Sequence, residues 1–307
     1  MIFVRLSGGL GNQLFQYAAG HRLARRHNVE LVLDTSWFEN RYWQTTRRPY
    51  ELFRFDVRGR LMSSREKRWL ALYTNNVLKR LPLPREWRLV RERHFNFDPA
   101  VLTLPDQVFL NGYWQSPRYF DDVADCIRAE CVPMPPMGNE DRRVADLMAD
   151  ADSVAIHVRR GDYVSLRAAR RTHGTCTLAY YVEAVRMMRE RLTSPRFFVF
   201  SDEPEWTRAH LHIGSDAIHV AHNDPGMAFQ DLRLMSLCRH QIVANSSMSW
   251  WGAWLNRHAQ KLVIAPDRWF LADLDTSDLI PHDWIRVAGG ATPDSRTDGK
   301  LDGREQS

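Results

Sequence analysis

The 307-residue chain is predicted to be an α/β protein with two domains, each built on a parallel sheet. Three observations predict this fold class. The chain opens with a strand, a helix and a second strand; its second half alternates short apolar strands with helices; and a segment rich in Pro and Gly separates the halves. Short strands that are apolar throughout and flanked by helices are typical of parallel sheets covered on both faces.

The first half begins with a βαβ unit. A strand at 2–6 leads into the glycine-rich turn "SGGLGNQ", a helix is predicted over 13–27, and "ELVLD" at 30–34 is the second strand. A crossover of this kind joins parallel strands. Further along, "FLNGYWQSPRYF" at 109–120 is predicted as a strand that runs into an aromatic loop.

The densest Pro/Gly cluster is "VPMPPMGNED" at 132–141, which predicts the domain boundary. We expect an N-terminal α/β domain over 1–135, a C-terminal α/β domain over 136–290, and a polar, disordered tail over 291–307. The strands predicted for the C-terminal domain are 153–158, 196–201, 217–221, 241–245 and 261–266, and the helices between them are 178–192, 203–211, 226–240 and 247–256.

Composition excludes some classes of protein. A hydrophobic content of 44% indicates a globular protein with a sizeable core, and a net charge of +5 does not indicate a nucleic-acid partner. The four cysteines show neither CxxC pairing nor metal-ligand spacing, which favours a reducing compartment. The N-terminus has no leader-like pattern, and no stretch approaches the roughly 20 apolar residues of a membrane span. We therefore expect a cytoplasmic protein.

Residues 58–93 are strongly basic. They contain eleven Arg or Lys and three Glu, so their net charge of 11 − 3 = +8 exceeds that of the whole chain. One interpretation is a solvated helical hairpin with scattered ion pairs. The other is a patch that contacts anionic lipid through arginines and the apolar residues Trp69, Leu70, Leu72 and Trp87.

Polar residues follow three predicted strands of the C-terminal domain, where ligands of open α/β sheets bind. They are His157, Arg159, Arg160, Gly161 and Asp162 after the first strand, Asp202 after the second, and Ser246 and Ser247 before a helix. Any one of them could be an ordinary helix cap. Two arginines beside a helix N-terminus favour a phosphate or diphosphate, whereas Asp202 would repel one and suits a base or a ribose hydroxyl. Together they predict a nucleotide-diphosphate ligand.

The turn "SGGLGNQ" is not a phosphate loop of the Walker A type, because no Gly-Lys-Ser/Thr follows. As a dinucleotide fingerprint it offers Gly9, Gly11 and Asp34, but Leu14 stands where a third glycine or alanine is expected. A Rossmann oxidoreductase is thus the less favoured interpretation. In the alternative, the glycines and Asn12 contact the ligand of the other domain.

Aromatic residues have two expected roles. Trp250, Trp251 and Trp254 have helical spacing, which predicts core packing for at least one of them. Tyr113, Trp114 and Tyr119 follow a strand of the N-terminal domain and are candidates for a platform that binds a sugar, with ordinary packing as the alternative.

Four stretches, "GGLGNQLFQYAAG" (8–20), "HVRRGDY" (157–163), "FVFSDEPEW" (198–206) and "NSSMSWWGAWLN" (245–256), together resemble the α-1,2-fucosyltransferases. This family is related to the α-1,6- and protein O-fucosyltransferases. The resemblance implies a GT-B-like architecture of two Rossmann-like domains with a cleft between them. It also implies GDP-β-L-fucose as donor, inversion of the anomeric centre, no cofactor and no catalytic metal.

The same resemblance implies roles for the site residues. Arg159 would bind the diphosphate with Arg160 beside it, and Ser247 with Ser246 would contact the phosphates. His157 would lie near the guanosine end, and Asp202 would recognise guanine. The N-terminal loop that closes over the donor would contain Gly9, Gly11 and Asn12. Asp162 is a candidate catalytic base, or a structural anchor for the arginines.

The expected function is therefore transfer of fucose to the 2-OH of a terminal galactoside, in the synthesis of a surface glycan or O-antigen. A lipid-linked acceptor and peripheral contact with the inner face of the membrane would suit this role. "DLD" at 273–275 resembles the acidic pair of metal-dependent glycosyltransferases, but it lies in an acidic polar loop and is expected to be solvated. A nucleotide-sugar or glycan binding protein without turnover is the alternative from another class.

Overall fold

The computed structural model describes residues 1–39, 48–74 and 87–292, except for the side chains of 71–74. It divides into two compact units. Unit 1 contains the described residues up to 135 together with Asp275–Pro281, and unit 2 contains 136–274 and 282–292. The sequence does not indicate that 275–281 belongs with the first unit.

Unit 1 is a parallel sheet of five strands in the order β3-β2-β1-β5-β4. Its strands are β1 (Ile2–Arg5), β2 (Leu31–Asp34), β3 (Arg60–Leu61), β4 (Arg88–Arg91) and β5 (Val108–Asn111). Its α-helices are α1 (Leu10–His27), α2 (Ser36–Glu39), α3 (Ser64–Thr74) and α4 (Ala124–Glu130). Helix α1 packs directly on β1, since a Cβ atom on Gly20 would lie 2.1 Å from Cγ2 of Val4.

The basic segment is only partly helical. Helix α3 is followed, after residues outside the described ranges, by strand β4, which pairs in parallel with β5. The predicted helical hairpin is therefore wrong for 88–91. These residues form a short edge strand, where charged side chains such as Arg88 and Arg91 are common, so the sequence lacks the apolar pattern of a strand. Of the residues assigned to a lipid patch, Leu70 lies in the core instead, and the partly buried Trp87 packs against it. Leu70 is 4% exposed, and the ring of Trp87 packs 4.1 Å from that of Phe3.

Unit 2 is a parallel sheet of six strands in the order β11-β10-β9-β6-β7-β8. Its strands are β6 (Asp152–Val158), β7 (Pro195–Ser201), β8 (Ala217–Val220), β9 (His240–Ile242), β10 (Val263–Pro266) and β11 (Ile285–Val287). Strands β7 and β8 follow β6 on one side of it, and β9, β10 and β11 then lie on its other side. The carboxyl ends of β6 and β9 therefore form a topological switch point, where α/β proteins bind ligands.

Helices cover both faces of this sheet. They are α5 (Asn139–Ala149), α6 (Gly161–Ser165), α7 (Arg167–His173), α8 (Leu178–Arg191), α9 (Pro204–His210), α10 (Ala228–Leu237) and α11 (Ser247–Leu255). Val154, Ile156 and Val158 of β6 pack in one core cluster with α8. His157, which alternates with them, lies on the other face near Met235 and Ser249.

The predicted α/β class with two parallel-sheet units is confirmed. Trp250, Trp251 and Trp254 are 0%, 0% and 5% exposed, which confirms their role in the core. The predicted tail starts later than expected, because Ala291 is fully buried and Thr292 pairs with Thr175; residues 293–307 lie outside the described ranges. Within those ranges, no helix is both long and apolar enough to cross a membrane.

Candidate functional site

Arg159 lies directly after β6, and two carboxylates hold its guanidinium. Its Nη1 is 2.9 Å from Oδ2 of Asp202, and its Nη2 donates to Oδ1 of Asp162. Burial disfavours the charge, but the two carboxylates outweigh burial and raise the pKa of Arg159. Arg159 therefore remains a cation, and these contacts use two of the five N–H groups that a guanidinium carries.

Asp202 follows β7, the neighbour of β6, and both of its oxygens are engaged, one by a hydrogen bond and one by an ion pair. Oδ1 accepts the backbone N–H of Arg160 at 3.0 Å, while Oδ2 pairs with Arg159. A Cβ atom on Gly161 would lie 2.3 Å from Oδ2 of Asp202. The glycine in this turn is thus needed for close approach of the carboxylate rather than for a left-handed backbone.

Arg160 has different partners from Arg159. Its Nε lies 3.2 Å from Oε2 of Glu203, and its Cζ lies 3.8 Å from the centre of the Trp206 ring. The residue is 9% exposed. Arg160 therefore joins the end of β6 to helix α9 through an ion pair and a cation–π contact.

Two stacked aromatic rings lie beside the guanidinium of Arg159. Its Cζ lies 5.3 Å from the centre of the Tyr163 ring, which is stacked on His173 at 4.3 Å and 3° between planes. The Tyr163 hydroxyl donates to the carbonyl oxygen of Asn245 at 3.4 Å, which ties helix α6 to the end of β9. Burial lowers the pKa of His173 to about 4, so this ring is neutral. The sequence analysis did not find the stack, because ten residues separate its two rings.

His157 is 6% exposed and neutral. Burial, followed by the charge of Arg159, lowers its pKa to about 3. Its Nδ1 is buried and has no hydrogen-bond partner in the part of the chain that the structure describes. A buried polar atom without a partner is rare, which favours a ligand contact at this position.

Residues 245–247 follow β9 on the other side of β6. Asn245 is structural, because its amide donates to the carbonyl oxygens of His173, Gly174 and Trp269. Ser246 is the N-cap of α11, yet its hydroxyl makes no cap hydrogen bond with the described residues. The ordinary capping role therefore does not account for Ser246, and Ser247 begins the helix whose N–H groups point to the same edge of the sheet.

In unit 1 the predicted loop residues also lie after a strand. Gly8 has φ +73°, Gly9 is the N-cap of α1, and Asn12 accepts a hydrogen bond from Nε2 of Gln115 at 2.8 Å. Gly11 is buried in the first turn of α1. The sequence analysis missed Gln16, which is fully buried and bonds to Ser7 on both its amide oxygen and its amide nitrogen.

The acid of the alternative dinucleotide fingerprint is already engaged. Asp34 is fully buried, its Oδ2 pairs with Arg5 at 3.1 Å, and its Oδ1 accepts the backbone N–H of Ser36 at 2.9 Å. A ribose-binding acid must face the ligand instead. This geometry does not favour the oxidoreductase interpretation.

Tyr113 and Trp114, the candidates for a sugar platform, differ in exposure. Tyr113 is 44% exposed, whereas Trp114 is 1% exposed and packs edge-on against Tyr119. Only Tyr113 of this pair has an accessible ring. The acceptor role of both residues stays a prediction.

The sequence patterns did not single out Asp231, an acid of intermediate burial. Asp231 of α10 accepts a hydrogen bond from Asn223, which also bonds to Asp141. Burial raises the pKa of Asp231 to about 6. Perturbed carboxylates are common at functional sites, although structural networks also produce them. The available signal was an acidic residue close to the apolar Phe229 and Leu232 in the helix "AFQDLRLMSL".

The fold and the site define a class: an α/β protein of two parallel-sheet units, with a candidate anion site at the switch point of the second. Among the described residues, no group of three or more His, Cys, Asp or Glu is arranged to hold a metal ion. The four cysteines, all described, are free thiols.

Comparisons with known proteins name the family. The model described as "Glycosyl transferase family 11" matches residues 1–288, so the chain belongs to this family of transferases. An alpha-1,2-colitosyltransferase of Escherichia coli is 31% identical over 94% of this chain and 99% of its own length. The O-antigen biosynthesis glycosyltransferase WbnK of Escherichia coli is 32% identical over 92% and 99%. A galactoside alpha-(1,2)-fucosyltransferase 1 of Ateles belzebuth is 25% identical over 60% of this chain and 53% of that protein.

Proposed function

We propose that the protein transfers L-fucose from GDP-β-L-fucose to the 2-hydroxyl of a terminal galactoside, with inversion at the anomeric carbon. The motifs that resemble α-1,2-fucosyltransferases support the donor and the linkage, and the relatives named α-1,2-transferases support the linkage too. The observation that carries the proposal is Arg159, a cation fixed by two carboxylates at the switch point of unit 2.

In this reaction the bond between fucose and GDP stretches, and negative charge grows on the leaving β-phosphate. The N–H groups that Arg159 keeps beyond its two ion pairs stabilise that charge, and so do the free N–H groups at the start of α11. Both interactions strengthen as the bond breaks, so they lower the barrier rather than only improving binding.

The nucleoside end of the donor lies, in this proposal, near His157. The neutral imidazole with its buried Nδ1 suits a hydrogen bond to a purine or ribose without adding charge. The resemblance assigns guanine to Asp202, whose Oδ2 already pairs with Arg159 and whose Oδ1 accepts the backbone N–H of Arg160. Any contact of Asp202 with guanine adds to these bonds.

The acceptor hydroxyl must lose a proton as it attacks. Asp162 is the candidate base that the motif offers, and in the structure its Oδ1 accepts from Arg159. This contact favours the other role, an anchor that orients Arg159, because a carboxylate held by a guanidinium is a weaker base.

We propose that the reaction needs no metal and no cofactor, because cationic Arg159 and helix N–H groups supply the charge stabilisation that a divalent ion would otherwise give. Transfer measured with EDTA, and with added Mg²⁺ or Mn²⁺, tests this. A rate that falls on chelation and returns with the metal would contradict it.

We also propose a biological setting: synthesis of a surface glycan or O-antigen on a lipid-linked acceptor, with peripheral contact at the inner membrane face. A relative named for O-antigen biosynthesis supports the pathway. Helix α3 supports the contact, because Arg65, Arg68 and Trp69 are all exposed, with Trp69 at 42%. Co-sedimentation with vesicles tests this contact; binding that does not depend on anionic lipid would contradict it.

The decisive experiment is an array of galactoside acceptors incubated with GDP-fucose, read by GDP release and by NMR of the product linkage. A 1→2 linked product is expected. A parallel reaction with the corresponding colitose donor tests the second candidate, which the relative named as a colitosyltransferase favours. GDP binding without transfer to any acceptor would indicate a binding protein instead.

A further inference from the structure

The loop Gly112–Ser116, directly after β5, has an unusual backbone. Trp114 has φ +56°, a left-handed conformation that a bulky L-residue rarely adopts, and its carbonyl oxygen accepts the N–H of Ser116 at 2.9 Å. Such a conformation persists only where the surrounding structure imposes it, and it is often found at functional sites.

Glu92 imposes it from one side. Its Oε2 accepts the backbone N–H of Tyr113 at 2.7 Å, and its Oε1 accepts that of Trp114 at 2.9 Å. Glu92 follows β4, the neighbour of β5 in the sheet. A Cβ atom on Gly112 would lie 2.4 Å from Cβ of Glu92, so the loop needs glycine there for the close approach.

Three further contacts within unit 1 hold the loop. Gln16 donates to the carbonyl oxygen of Gly112 at 3.1 Å, and Gln115 donates to Asn12 at 2.8 Å. The Ser116 hydroxyl donates to the carbonyl oxygen of Asp278 at 3.0 Å. Polar groups therefore hold all five residues of the loop.

Tyr113 is the exposed residue of this loop. The residue is 44% exposed, between the constrained Gly112 and the buried Trp114. Strands β1, β5 and β4 are neighbours, so Tyr113, Glu92 and the glycine turn share the carboxyl edge of one parallel sheet. An accessible aromatic ring held rigidly at such an edge suits the apolar face of a neutral sugar ring.

We propose that Glu92 is a positioning residue for the acceptor sugar, because its carboxylate fixes the loop that presents Tyr113. Glu92 does not itself touch the reacting atoms. The inference rests on the proposed glycosyl transfer and deepens it, since it assigns recognition of the neutral acceptor to this edge of unit 1.

The substitution Glu92→Gln tests the inference. A glutamine keeps the shape but offers one acceptor oxygen instead of two, so one of the two N–H groups loses its partner. The acceptor KM is expected to rise about ten-fold, with a smaller change in kcat and an unchanged Kd for GDP. Glu92→Asp keeps both carboxylate oxygens, so its acceptor KM should lie closer to that of the wild type than the KM of Glu92→Gln does.

Glu130→Gln is the matched control. Glu130 is a buried carboxylate of unit 1 that binds Tyr17 and Arg58, and none of the described hydrogen bonds or ion pairs joins it to the loop. Equal acceptor KM values for the Glu92→Gln and Glu130→Gln variants would overturn the inference, because loss of any bonded carboxylate in unit 1 would then suffice.

Tyr113→Leu provides a second test that does not depend on the folding of the Glu92 variants. Its exposed side chain makes a folded variant the expected result, with a raised acceptor KM and unchanged GDP binding. An unchanged acceptor KM would refute the role of the loop. Failure of the proposed function is distinguished by the wild type, which would then release no GDP from GDP-fucose with any acceptor.

Discussion

Replacing Arg159 with lysine tests the role of this residue while keeping its charge. Arginine has five N–H donors in a planar fork. Asp162 accepts from one of them and Asp202 pairs with the same guanidinium, so donors remain for a diphosphate. Lysine has three donors, and the same two partners leave one. The bidentate contact with a phosphate is thereby lost, and each hydrogen bond to a charged group contributes about 1.5–3 kcal/mol. We expect kcat/KM for the donor to fall about 10²-fold.

The assay is initial-rate GDP release with saturating acceptor, combined with GDP binding by calorimetry. Arg186→Lys is the matched control, because Arg186 lies on the exposed face of α8 and pairs only with nearby Glu183 and Glu190 in the described contacts. Arg159→Ala is a poorer test, since it leaves two adjacent carboxylates without their cation and also destabilises the fold. Donor kinetics of Arg159→Lys within two-fold of the wild type would refute the assignment.

Three further predictions concern the surroundings of this site. Gly161→Ala forces Asp202 to move, since its new Cβ would lie 2.3 Å from Oδ2; a loss of turnover of roughly ten-fold is expected in the same rate assay, with a cooperative melting curve. The raised pKa of Asp231, about 6, means that the folded state binds this proton more tightly than the unfolded state, so stability falls as the pH rises from about 4 to above 6. Urea unfolding at pH 4.5 and 7.5 measures this effect. At the higher pH the free energy of unfolding of Asp231→Asn should rise relative to that of the wild type by at most about 3 kcal/mol. An unchanged difference between the two proteins would contradict the burial argument. His173→Ala removes the ring beneath Tyr163; the Kd for GDP should rise several-fold, and an unchanged Kd would show that the stack does not position Arg159.

Much of unit 2 could be predicted from the sequence because its strands are buried on both faces. Strands β6 and β7 were placed to within one residue, since each is an apolar run that stops at a charged or polar residue. Helix α10 was predicted to extend to residue 240 but ends at Leu237. Cys238 is extended, with ψ 147°, and His240 already begins β9.

Unit 1 was harder to predict because its edge strands lack an apolar pattern. Strand β4 contains two arginines in four residues, and β3 has only two residues, one of them Arg60. Neither shows alternation over a length that a sequence pattern can detect. Their places in the sheet depend on pairing with β5 and β2, which are remote in sequence or separated by a helix.

The candidate site was predictable in composition but not in contacts. The rule that carboxyl ends of parallel strands share one edge was enough to place Arg159 and Asp202 together. It did not predict that Arg160 would form an ion pair with Glu203 and a cation–π contact with Trp206. Nor did it predict that Glu92 would accept the backbone N–H of Tyr113. Those contacts depend on where helix α9 and strand β4 pack, which no local pattern encodes.

The adjacent arginines illustrate why residue type alone does not assign a role. In sequence both are candidates to bind a diphosphate. In the structure the Trp206 ring covers the charge of Arg160, which also pairs with Glu203. Arg159 is held by two carboxylates that do not engage all of its N–H groups. A planar guanidinium is required for the stack on an indole, so lysine at 160 would weaken the attachment of α9 to β6. Arg160 therefore stabilises the end of β6, whereas Arg159 is the proposed diphosphate ligand there. The same substitution at the two positions should separate loss of stability from loss of transfer.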